Sequence, residues 1–210
     1  MDVGDPSNTS EHLTYIVNDV YDAVDEKGDV NRYLSLVGSG TTTVNLGTDF
    51  RYADIKKGDV IKYDTFDGFM YEYHNMFGVD NYATKFENAD SRTFESSKSS
   101  AGTTDIGRLR YSRIAYGTIM DINGEMIFHT TTVPRDGLDM TSRENLANYA
   151  AYSKTGYVYI YDKNSRSGNI ELGTMDDIIT YKINPNNPDK VIIGMSSGTI
   201  KYIYVLRGWE

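Results

Sequence analysis

Three histidines, thirty carboxylates and no cysteine bound the chemistry this 210-residue chain can offer. His12, His74 and His129 stand far apart, without the short spacings that bring two imidazoles onto one metal ion. The missing cysteine removes disulfides, thiolate metal ligands and thiol nucleophiles together. No Gly-x-Ser-x-Gly elbow is present, and Gly38-Ser39-Gly40 joins two strand-like runs, so it reads as a turn and not as a phosphate cradle. Asp22, Asp25, Glu26 and Asp29 crowd one short stretch, but their spacing departs from the twelve-residue calcium loop, and a solvated turn is the simpler reading. A glycosidase needs only two carboxylates at the correct separation; no local pattern here nominates a pair. The expectation is a chain that is not an enzyme and uses no metal and no cofactor.

Binding chemistry is better represented, because 18 residues are tyrosine. A tyrosine ring packs on a half-buried strand while its hydroxyl reaches a polar partner. In the run 157–161, Tyr157, Tyr159 and Tyr161 point one way on a strand, with Val158 and Ile160 on the other face. Phe69, Tyr71 and Tyr73 share a face of a second strand, opposite Glu72 and His74. Tyr157, Tyr159, Tyr161, Tyr71 and Tyr73 are therefore the candidate binding surface. The competing reading is that these faces pack against another sheet, since both faces of the 157–161 run are apolar enough to be covered.

The elements that would position these tyrosines are almost all strands. Strand-like runs cover Leu13 to Val24, Val30 to Val37, Thr41 to Leu46, Val60 to Asp64 and Phe69 to Met76. Asp67-Gly68 supplies a hairpin turn between the last two. Strands resume at Leu109 to Asp121 and Glu125 to Val133, joined at Asn123-Gly124, and continue at Tyr157 to Tyr161, Asn169 to Leu172, Lys190 to Met195 and Thr199 to Leu206. Thr141 to Tyr152 is the one stretch with helical spacing, although a turn-rich insertion fits it nearly as well. The polar stretch Glu95 to Gly102 suits a linker or long loop. The expected organisation is a flexible tail over 1–10, a first β unit over 11–77, a linker or long loop over 78–106, and a second β unit over 107–210.

The two halves echo one another. Asp54-Ile55, then Asp59 to Tyr63, then Phe69 to Tyr73 in the first half corresponds to Asp177-Ile178, then Lys190 to Ile193, then Ile200 to Tyr204 in the second. Chance likeness between antiparallel segments competes with a true duplication. The fold class expected is all-β: two small antiparallel, strongly curved sheets or barrels of the OB or SH3 kind, related by internal duplication, with at most one short helix.

A net charge of −9 argues against nucleic acid as a partner and against adsorption to anionic lipid. No run of about 18 apolar residues suggests a membrane span. The first residues lack the basic and apolar regions of a signal peptide, so an exported origin would make this chain a fragment or mature form. Asn8-Thr9-Ser10 fits a glycosylation sequon, a pattern short enough to arise by accident.

The order of the pieces Val20 to Asp29, Ile55 to Tyr63, Tyr116 to Gly124, Tyr157 to Asp162, the acidic-Ile segment near Ile178 and the hairpin Val191 to Val205 resembles the β-rich repeat region of exported clostridial (Firmicutes) cell-surface proteins. Those proteins often carry S-layer homology domains, which this chain lacks. The resemblance runs from about Tyr15 to Leu206, with no counterpart for 78–105, and brings no catalytic residues. It implies a structural or interaction module at the cell surface, with protein partners or self-assembly foremost and cell-wall polysaccharide second. A carbohydrate-binding module using exposed tyrosines, or a phage tail or decoration subunit, remains open as an alternative.

Overall fold

The computed structural model describes residues 13–38, 40–81, 112–123, 125–129, 147–149, 156–196 and 199–209. The first five strands are β1 (Tyr15–Val24), β2 (Val30–Val37), β3 (Thr41–Asn45), β4 (Val60–Phe66) and β5 (Phe69–Phe77). They close into a barrel in the order β1-β2-β3-β5-β4. All neighbours run antiparallel except β3 and β5, which meet in parallel at Asn45 and Phe69. Val17, Leu34, Leu36, Val44, Ile61 and Met70 alternate inward along their strands and fill the barrel. The β3–β4 connection adds Leu46 and Ile55 to that core, with Phe50 and Ala53 against it.

The hairpin between β4 and β5 turns at Asp67 and Gly68, both at positive φ (52° and 82°). This is the type I′ geometry whose twist matches the flanking strands, and it explains why an Asp-Gly pair sits there.

The remaining strands are β6 (Ser112–Asn123), β7 (Glu125–His129), β8 (Ala147–Tyr149), β9 (Tyr157–Asp162), β10 (Ile170–Gly173), β11 (Lys190–Ser196) and β12 (Thr199–Arg207). They form one sheet in the order β10-β9-β12-β11-β6-β7-β8. The described residues are thus all-β, in two sheets of which one is a closed barrel. Part of the stretch with helical spacing is strand: Ala147–Tyr149 pairs antiparallel with β7. Residues beside a sheet edge obtain their hydrogen bonds from the ladder, whereas a lone helix of about a dozen residues is marginal without a packed face. The rest of 141–152 lies outside the described residues, as do the 1–10 tail and 82–106 of the expected linker. The beginning of that linker is anchored, because Val79 is buried and its N–H donates to Asp59 Oδ1 at 2.9 Å.

The second sheet repeats the pairing scheme of the barrel. β6·β7, β7·β8, β6·β11 and β11·β12 are antiparallel, as are β1·β2, β2·β3, β1·β4 and β4·β5. The schemes part where the barrel closes: β5 runs parallel to β3, whereas β12 runs parallel to β9 and not to β8, the counterpart of β3. The repetition extends to single residues. β1 bulges between Val17 and Asp19, and β6 between Ile119 and Asp121. After each bulge an aspartate accepts the N–H of the next residue, Asp19 from Val20 at 2.9 Å and Asp121 from Ile122 at 2.8 Å.

A second matched pair closes the loops before β4 and β11. Asp59 exchanges backbone hydrogen bonds through Lys56, and Asp189 does so through Ile179. Each aspartate carboxylate accepts the amide N–H, and each aspartate N–H donates to the carbonyl, of the same partner. The paired positions immediately follow Ile55 and Ile178, which are buried in the two respective cores.

Candidate binding surfaces

The tyrosines divide into two populations. One face of the second sheet, carrying Ile114, Tyr116, Tyr159, Ile192, Tyr202 and Tyr204, packs on Ile16, Val60, Phe77 and Val79 at one end of the barrel. The opposite face carries Ile119, Val158, Val191, Ile193, Ile203 and Val205 in a core of its own. Alternation along β9, along β11 up to Gly194 and along β12 from Tyr202 onward produces both faces.

Four phenols of the inner face reach barrel atoms. Tyr116 donates to the Met76 carbonyl at 2.6 Å and Tyr204 to the Gly58 carbonyl at 3.1 Å. Tyr202 shares a 2.8 Å hydrogen bond with the Thr14 hydroxyl, and Tyr159 reaches the Gly38 carbonyl at a long 3.4 Å. Burial pushes all four phenols above the ordinary tyrosine range. Two glycines permit the close approach. A Cβ on Gly58, at φ +94°, would lie 2.8 Å from the Tyr161 ring. A Cβ on Gly194 would lie 2.2 Å from the Tyr202 ring.

The five candidate tyrosines are therefore dispersed. Tyr159 is buried between the two sheets at 7% exposure, and Tyr161 packs half-buried against Trp209, ring centroids 5.5 Å apart. Tyr157 is 45% exposed at the start of β9. Tyr71 is 65% exposed, whereas Tyr73 turns toward the barrel core and meets Phe50 edge-on at 5.6 Å. Tyr71 and Tyr73 do not share a face, because β5 carries a bulge at Tyr71: Glu72 pairs with Asp64 but Met70 with Thr65. A bulge adds one residue to the strand and inverts the alternation beyond it.

Register reveals a group that strand alternation within each segment did not assemble. Tyr21 on β1 pairs with Tyr33 on β2, Tyr33 with Asn45 on β3, Asn45 with Phe69 on β5, and Phe69 with Phe66 on β4. Directly paired residues share a sheet face, so these five form one rung across the barrel's outer surface. Tyr21 and Tyr33 stack at 5.7 Å, and Phe66 and Tyr71 lie 6.5 Å apart with their planes tilted by 57°. Phe66 is 73% exposed and Phe69 45%. The rung occupies the end of the barrel away from the second sheet, since the barrel's contacts with that sheet come from the start of β1 and β4 and the end of β5. The signal in the sequence was Phe66-Asp67-Gly68-Phe69, where a two-residue turn must place two phenylalanines side by side.

The polar candidates are engaged structurally. The Asp25 carboxylate accepts the N–H groups of Lys27 and Asp29 and the Asn31 amide, closing its own turn. The Asp29 N–H is foremost in holding its pKa below the ordinary carboxylate value. Asp189 pairs with Arg207 through two hydrogen bonds of 3.1 and 2.8 Å. Buried Asp59 accepts from Val79, Lys56 and Asn75, and burial raises its pKa despite those bonds. His74 lies 2.9 Å from Glu72; the side chains of His12 and His129 lie outside the described residues. Among the described residues no group of three or more metal-ligating side chains is gathered. The sequence matches no protein-family model and no curated protein.

Proposed function

We propose that this chain is a non-catalytic structural and interaction module of a bacterial cell-surface protein, of the S-layer-associated kind that the sequence resembles. The observation that carries the reading is the tyrosine-bonded junction, which joins the barrel and the second sheet around one shared core. A joint of this kind transmits shape from one end of the module to the other. The buried carboxylates support the same reading, because Asp59 and Asp189 are spent on closing loops. Protein contacts are the main expected partners, with wall polysaccharide second.

Fractionation of source cells with an antibody to this chain tests the assignment. Recovery in the chaotrope-released surface fraction is the expected result. Recovery in the cytosol, or in purified virions as a tail or decoration subunit would be, overturns it. Tight binding to purified wall polysaccharide, lost in Tyr71→Ala without unfolding, would replace it with the carbohydrate-binding reading.

A further inference from the structure

We infer that the aromatic rung at the free end of the barrel is a docking surface for a cationic, Lys/Arg-rich segment of a partner protein. The inference rests on the interaction-module reading and specifies its contact face. Tyr21, Tyr33, Asn45, Phe69 and Phe66 cross the outer face of five strands, about 19 Å from β1 to β4 at ~4.8 Å per spacing. Tyr71 extends the band beside Phe66. Isolated exposed aromatics are ordinary, but two aromatic pairs set in one row by register, with Asn45 between them, gather apolar surface of the sort that marks an interaction site.

Charge selects the occupant. Between residues 19 and 33 the sequence carries five carboxylates and two cations, and between 64 and 72 three carboxylates and none. Of the two cations, Arg32 is turned to Asp22 and to the Arg51 carbonyl. By register Asp19 shares the face of Tyr21, and Asp64 and Glu72 share that of Phe66 and Phe69, so the rung is an aromatic strip flanked by carboxylates, which suits guanidinium and ammonium groups by cation–π contact and by ion pairing. A second copy of the chain, at net charge −9, would bring like charge to the same face. A sugar ring needs a flat open platform, yet Phe66 and Tyr71 are tilted by 57° and Tyr21 and Tyr33 cover one another.

The test uses the full chain and a synthetic twelve-residue peptide alternating Arg and Gly, titrated by calorimetry at physiological salt. Binding is expected, weakened at least tenfold by the double variant Phe66→Ser, Tyr71→Ser, which changes no charge. Both side chains are exposed, and an unchanged thermal midpoint verifies that the variant folds. Asp176→Asn, an exposed charge on the other unit, should change affinity less than twofold. Equal binding by parent and double variant would overturn the proposal, reducing the contact to bulk charge attraction. So would a stronger response to neutral polysaccharide, or a concentration-dependent dimer abolished by Phe66→Ser. Failure here with the chain still recovered in the surface fraction sinks only this docking face; failure of both sinks the module reading itself.

Discussion

At Tyr116, Tyr202 and Tyr204, burial holds the phenol neutral to a pH well above its ordinary range. In the unfolded chain the same groups ionise near pH 10. Folded pKa values raised above the unfolded ones make stability complete below about pH 10 and progressively lost as pH rises toward the folded values. Each phenol removes about 1.4 kcal/mol per pH unit over that window. Three together predict a steep alkaline unfolding that tyrosine ionisation and loss of β circular dichroism should report at one midpoint. Tyr204→Phe should make the alkaline slope shallower. It should also cost about 1–2 kcal/mol at neutral pH, because the buried Gly58 carbonyl loses its donor. On the acid side Asp25 and Asp177, whose pKa values are lowered chiefly by the Asp29 N–H and the Thr174 hydroxyl, contribute stability above the ordinary carboxylate pKa. That contribution fades as pH falls through their folded values.

Strand pairing decides which tyrosines are buried and which are free. On β12, Lys201 is the extra residue of a bulge, since Gly194 pairs with Tyr202 but Met195 with Ile200. The bulge lets Ile200 and Ile203 share one core while Tyr202 and Tyr204 face the barrel. Gly194 lies directly opposite Tyr202, and its missing side chain is the space the ring fills. Gly194→Ala should therefore destabilise the protein by about 1–3 kcal/mol, as overpacking does where neither the ring nor the paired backbone can retreat. Urea unfolding would measure it, and a change below about 0.5 kcal/mol would show that the Tyr202 ring is not confined there. Gly68→Ala offers the contrast: nothing lies near its Cβ, so only the positive φ is penalised, at about 1 kcal/mol.

Across the whole molecule, the core shared by barrel and sheet makes the two units thermodynamically dependent. Calorimetry should show one transition, although the topology contains two similar sheets. Trp209, the only tryptophan, packs on Tyr161 beside this junction, and its fluorescence should change at the same midpoint as the far-ultraviolet signal. Two resolved transitions would show that the junction adds little beyond proximity. Replacing Tyr116 and Tyr204 together by phenylalanine is the variant most apt to separate the units, because it removes two hydroxyl ties while keeping the apolar contacts.

What the sequence determined by itself was local. Alternation of Tyr with Val and Ile along 157–161 marked a strand with two apolar faces, and Asp67-Gly68 marked a hairpin, because side-chain period and turn dihedrals are set by neighbours in the chain. The echo of Asp54-Ile55 and Asp177-Ile178 pointed to matched halves for the same reason. Tertiary structure alone decided the rest. Bulges at Tyr71 and Lys201 shift alternation by one residue, and they arise from pairing between strands. The aromatic rung joins Tyr21 to Phe66 across 45 positions of sequence, and the Thr14–Tyr202 bond spans 188. Such contacts depend on register and closure, which no single segment encodes.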